Sequence, residues 1–153
     1  MIERRAEARW DGDLKSGRGS LSTESRALDA EYSAGTRFRD EEGTNPEELI
    51  AAAHAGCFTM ALASELVKKG MHPDTIRTTA AVTLDREGEG WTVRESRLDV
   101  VARVPGAQQS AFQSAAGDAR TNCPISKLLR TNITMNAVLS GEAPAQQESR
   151  TAL

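Results

Sequence analysis

The pattern of apolar and polar positions changes sharply along this chain. From Leu49 to Ala63 no residue carries a formal charge, and the apolar side chains occupy nearly every side of a helical projection rather than one stripe. A helix apolar all round is a buried helix, so the pattern predicts a buried central helix over about 46–69, stopped at Gly70. Its start is marked locally: Asn45 suits the N-cap, Pro46 the first turn, and Glu48 sits at capping-box spacing from Asn45. Downstream, Ile76–Leu84 and Trp91–Val104 alternate as the two arms of a hairpin around the Gly-rich turn 86–90, and Pro105-Gly106 ends it. Residues 107–119 read as a helix, Pro124 opens another over Ile125–Leu129, and Asn132–Leu139 is a last strand.

The first third is more polar and reads as short antiparallel strands: Glu7–Trp10, a turn at Asp11–Asp13, Gly19–Thr23, and a further short strand containing Arg37-Phe38-Arg39. Asp40–Gly43 is a solvated loop into the central helix. The order strands, helix, hairpin, helix, strand gives an α+β fold with antiparallel sheets wrapped around a long buried central helix. One half-polar sheet cannot cover such a helix on all sides. The run Ala51-Ala52-Ala53 with Ala55 and Gly56 leaves a surface a second helix can approach closely. The expectation is an intertwined homodimer with its two central helices in contact. Residues 1–139 are expected to form a single domain and 140–153 a flexible tail.

Bulk properties narrow the function. Nineteen basic and 22 acidic residues give a net charge of −3 over 153 residues, which argues against a nucleic-acid partner. The chain opens on polar sequence rather than a secretory leader, and its uncharged stretch is short for a bilayer span and followed by Glu65, Lys68 and Lys69. A soluble, cytoplasmic protein is expected, with no membrane partner. Two cysteines do not make a disulfide scaffold in a reducing compartment, but they permit a transient catalytic disulfide.

The chemistry therefore rests on Cys57 and Cys123. The thiolate is the reactive form, so a reactive cysteine needs nearby donors or positive charge. Cys57 lies in the uncharged helix, where ordinary packing is the competing reading. Cys123, in Asn122-Cys123-Pro124, stands just before a helix start, where free N–H groups favour an anion. One protected thiol and one at a helix start suit a peroxidatic and resolving pair, the first forming a sulfenic acid and the second condensing with it. A zinc site built from His54 and Cys57 would have only His72 and Cys123 to complete it, so His54 is read as a packed or hydrogen-bonded helix residue.

The segment Gly43-Thr-Asn-Pro-Glu-Glu-Leu-Ile-Ala-Ala-Ala-His-Ala-Gly-Cys57, together with Asn122-Cys-Pro-Ile-Ser126, resembles the osmotically inducible protein C / organic hydroperoxide resistance family. Ala8–Lys15, Ser22–Ser25 and Thr36-Arg-Phe38 resemble its osmotically inducible branch, and the similarity runs over about 6–139. The resemblance implies a thiol-dependent peroxidase for organic hydroperoxides, an obligate intertwined dimer, and no cofactor. By position Cys57 matches the peroxidatic cysteine, Cys123 the resolving one, and Glu47 the glutamate that holds an arginine. Arg37 matches the arginine of this branch, whereas Arg18 stands where the other branch places its arginine.

Helix geometry adds a constraint. Glu47 and Cys57 are ten positions apart, about 15 Å along one helix, so they cannot touch within one chain. Two antiparallel helices crossing near Ala52 would bring Glu47 of one subunit beside Cys57 of the other, making composite sites. Arginine would lower the Cys57 pKa and bind the peroxide, with Glu47 fixing its fork. Phe58 and Met60 are candidates for the alkyl tail, with core packing as the competing reading. The disulfide needs an external dithiol, of lipoyl type or a small thiol, because the chain has no CxxC. Two other readings compete: a non-catalytic dimeric module binding apolar small molecules, and a thioesterase-like fold.

Overall fold

The computed structural model describes residues 1–140; the tail expected after 139 falls almost wholly on 141–153, outside them. The chain divides into two compact units, Met1–Ala51 and Ala52–Leu153.

The first unit is an antiparallel meander of β1 (Ala6–Asp11), β2 (Arg18–Thr23) and β3 (Asp29–Tyr32). Trp10, Gly19 and Tyr32 stand opposite one another across the three strands. A Cβ at Gly19 would run into both flanking rings, so glycine there lets Trp10 and Tyr32 close to a centroid distance of 5.4 Å. A short helix, α1 (Ala34–Phe38), follows. The expected strand at Arg37–Arg39 is thus a correction. Ser33 and Thr36 form a capping box, with Ser33 Oγ accepting from the Thr36 amide at 3.1 Å and Thr36 Oγ1 from the Ser33 amide at 2.9 Å. That reciprocal cap favours a helical turn over extension.

Helix α2 (Pro46–Lys68) begins as expected: Asn45 Oδ1 accepts from the Glu48 amide at 2.9 Å. The Glu48 carboxylate does not close the box; it accepts from the Thr44 hydroxyl at 2.6 Å. At the far end Gly70, with φ of +73°, takes the left-handed conformation that lets the Met71 amide reach back to the Leu66 carbonyl.

In the second unit β4 (Thr75–Glu87) and β5 (Gly90–Arg103) form the long hairpin, and β6 (Asn132–Leu139) lies on the other side of β5. β6 runs parallel to β5, which corrects the wholly antiparallel expectation. The intervening helices α3 (Gln109–Asn122) and α4 (Pro124–Leu128) provide the crossover that a parallel neighbour needs. Leu98, Val100 and Ala102 of β5 point inward at period two, against Phe58, Leu62 and Leu66 of α2 and Phe112, Ala115, Ala116 and Ala119 of α3.

α2 departs from expectation in one respect. The chain buries only the stripe His54, Phe58, Leu62, Glu65 and Leu66, while Ala52, Ala53, Gly56, Met60 and Val67 are exposed. At 23 residues the helix is also long and apolar enough to cross a membrane by composition, so length does not exclude that role. Its inner stripe packs in the core of the second unit, as a soluble core helix does.

Candidate active site

The candidate residues fall in two clusters, one in each unit. In the first, α1 presents Arg37 to Glu47 in the first turn of α2. Arg37 Nη2 donates to Glu47 Oε1 at 2.6 Å, and Nε donates to both carboxylate oxygens at 3.1 and 3.2 Å. The Glu47 side chain is 12% exposed and that of Arg37 34%. Thr36 holds α1 in place, its hydroxyl donating to the Thr44 carbonyl at 2.7 Å. Phe38 lies under the guanidinium, 5.3 Å from Arg37 Cζ to the ring centroid. An open, mainly apolar depression of about 230 Å3, lined by Trp10, Leu14, Tyr32 and Phe38, flanks Arg37. Arg18, the other candidate arginine, opens β2 opposite Asp11.

In the second unit the structure brings Cys57 of α2 and Cys123, at the junction of α3 and α4, into hydrogen-bonding contact. Both are free thiols; Cys123 is fully buried and Cys57 partly so. Pro124 begins α4, so the next two amides remain free for the thiols: Ile125 serves both sulfurs, and Ser126 donates to Cys123 through its amide and its hydroxyl. The two thiols consequently differ. Burial pushes Cys57 above its ordinary value, as do its contacts with Cys123, against the Ile125 amide. Burial also raises Cys123, but donors from the Ser126 amide, the Cys57 thiol, the Ser126 hydroxyl and the Ile125 amide prevail and hold it below its ordinary value. Among the described residues of this unit no cation acts on either sulfur.

His54, one helical turn before Cys57, is fully buried. Its Nδ1 is 2.7 Å from Ser96 Oγ and its Nε2 2.9 Å from Ser126 Oγ. Both ring nitrogens are occupied by hydroxyls, which fits the hydrogen-bonded reading and leaves no lone pair for a metal. Burial holds His54 below its ordinary value, favouring the neutral ring. Ser96 and Ser126 were not singled out by sequence reasoning. The signal for Ser96 is its phase: it occupies the same inward face of β5 as Leu98, Val100 and Ala102, and is the polar member of that row. Phe58 is fully buried in the core, so it packs rather than lining a substrate path, whereas Met60 is 76% exposed.

Comparison with known proteins identifies the family. The family model for OsmC-like protein matches residues 39–138. The chain is 43% identical over 136 residues, 88% of its length and 95% of the relative's, to "Peroxiredoxin OsmC" of Escherichia coli strain K12. It is 29% identical over 119 residues, 77% of its length and 84% of the relative's, to "Organic hydroperoxide resistance protein-like 1" of Staphylococcus saprophyticus. Among solved structures, an OsmC-like protein of unknown function from Vibrio cholerae superposes with a TM-score of 0.72 at 16% identity, covering 90% of this chain and all of that one. An organic hydroperoxide resistance protein from Legionella pneumophila gives 0.65 at 22% identity, over 89% and 96%. The last two establish the fold. The family model and the Escherichia coli relative show that this chain belongs to the OsmC-like family.

Proposed function

We propose that this protein is a peroxiredoxin-like hydroperoxide reductase that consumes organic hydroperoxides, and hydrogen peroxide less well, in oxidative or osmotic stress defence. The observation that carries the reading is the contact between the thiols of Cys57 and Cys123. The names of its relatives, a peroxiredoxin and organic hydroperoxide resistance proteins, point the same way.

The cycle balances without a cofactor. Cys57 thiolate attacks the terminal peroxide oxygen; the O–O bond breaks, giving a Cys57 sulfenic acid and an alkoxide that takes a proton to leave as the alcohol. Cys123 sulfur then attacks the sulfenic sulfur, forming the disulfide, and the departing hydroxide takes a proton to become water. An external dithiol, of lipoyl type or a small thiol, reduces the disulfide by exchange and is itself oxidised to a disulfide.

Cys57 needs a cation, because burial opposes its ionisation and the described residues of its own unit supply none. Arg37 is the arginine for this role: its fork is set by Glu47 through three contacts, whereas Arg18 stands at a strand start. Ten residues of helix separate Glu47 from Cys57, so the pair acts on the partner's thiol in a homodimer with composite sites. The uncovered small-residue face of α2, with Ala52, Ala53, Gly56 and Met60 exposed, supports that association. The apolar depression beside Arg37 takes the alkyl group. The protein works in the cytoplasm as a soluble dimer.

The test is a thiol count after one equivalent of cumene hydroperoxide. Loss of both thiols, abolished by Cys57→Ser, is expected; thiols that persist, with an apolar ligand bound instead, would favour the binding-module reading.

A further inference from the structure

A buried polar chain runs from β5 through α2 to Cys123. Ser96 Oγ is 2.7 Å from His54 Nδ1, His54 Nε2 is 2.9 Å from Ser126 Oγ, and the Ser126 hydroxyl reaches Cys123 Sγ. His54 and Cys123 are fully buried, and Ser96 and Ser126 are 1% and 8% exposed. Three helices and strands thus contribute polar groups to one line inside an apolar core, with His54 and Ser126 partnered on both sides. Burying an imidazole and two hydroxyls in an apolar core is costly unless each is satisfied, and plain packing would be served by apolar residues of the same size.

We propose that His54 is a positioning residue that acts through the Ser126 hydroxyl to aim a hydrogen-bond donor at the Cys123 sulfur, raising the fraction of Cys123 present as the thiolate that attacks the Cys57 sulfenic acid. The ring is neutral, with hydrogen on Nε2. Ser96 donates to Nδ1, Nε2–H donates to Ser126 Oγ, and the Ser126 hydroxyl, its acceptor side engaged, donates to Cys123 Sγ. Aligned donors of this kind reinforce one another in a low-dielectric interior. No proton crosses the ring and no group changes oxidation state; the line lowers the energy of the Cys123 thiolate that forms the S–S bond. The groups that act on this sulfur are the Cys57 thiol, Ser126 and the Ile125 amide; desolvation alone acts on His54.

The inference rests on Cys123 being the resolving thiol, but its test does not require peroxide. In a Cys57→Ser background, thiolate absorbance is titrated for Ser126→Ala, Ser126→Thr, His54→Phe and the double variant. Ser126→Ala should move the Cys123 midpoint up by about one unit, roughly tenfold less thiolate below it, and Ser126→Thr should restore it. His54→Phe should shift the midpoint alone and add nothing when Ser126 is alanine. An unmoved midpoint, or additive shifts, would overturn the proposal. Should His54→Phe not fold, ring-nitrogen NMR shifts of His54 in the unmodified protein, assigned with His72→Gln, decide instead: hydrogen on Nε2 is expected, and hydrogen on Nδ1 would refute the line. Failure of the peroxidase reading would appear separately, as wild-type thiols untouched by hydroperoxide.

Discussion

Arg37 meets Glu47 side-on, with Nη2 on Oε1 at 2.6 Å and Nε bridging both oxygens. A forked pair of this kind fixes the plane of the guanidinium and aims its remaining N–H groups. With part of the pair open to solvent, its direct contribution to folding is below about 1 kcal/mol, so its value lies in orientation. Arg37→Ala should therefore lower kcat/KM for cumene hydroperoxide by roughly 10²–10³-fold while shifting the urea midpoint little. Arg18→Ala should leave the rate within about threefold, well under the 1.4 kcal/mol of a tenfold change. Steady-state peroxide consumption with a small dithiol checks both.

The exposed stripe of α2 predicts an interface. A Cβ at Gly56 meets no atom of the described residues within 4 Å, so Gly56→Leu should preserve the circular dichroism spectrum. It should nevertheless weaken helix–helix approach, giving monomer on sedimentation and proportionate loss of activity. Monomer with full activity would remove the need for composite sites.

Composite sites also predict complementation. A heterodimer of Glu47→Ala and Cys57→Ser subunits contains one intact site if Glu47 serves the partner's thiol, and none if it serves its own. About half the wild-type activity per dimer is expected from co-expressed, differently tagged chains, against near zero from either homodimer.

Most of α2 and of the second unit was legible because the signals are local. The α2 start is written in Asn45, Pro46 and Glu48, and the Asn45–Glu48 contact is present at 2.9 Å. The hairpin follows from alternation on both arms and a Gly-rich turn. Three features were not readable in this way. The Ser33–Thr36 cap that turns Arg37 onto a helix spans only a few polar residues, too short for a helical period to show. The direction of β6 is not encoded in its own residues but in the crossover before it. Uniform apolarity of α2 does not tell which of its faces this chain covers. For the site, the two cysteines stood out by chemistry, but Ser96 becomes a partner for His54 only once β5 is laid against α2.

His54 gives a pH prediction. Its folded-state value lies below the ordinary 6.5 because burial penalises the charged ring. The unfolded chain therefore binds the proton more readily, so stability is full above 6.5 and is lost as pH falls from 6.5 toward the lower folded value. Urea midpoints on either side of 6.5 should show that decline, and His54→Gln should flatten it.

The most direct measurement is non-reducing peptide mapping by mass spectrometry after one equivalent of an organic hydroperoxide per subunit. A single peptide pair linked through Cys57 and Cys123 within one subunit is expected, reversed by dithiol, with Cys123→Ser stopping at a sulfenic acid on Cys57. Two unmodified thiols, or a disulfide joining two subunits, would contradict the two-thiol cycle.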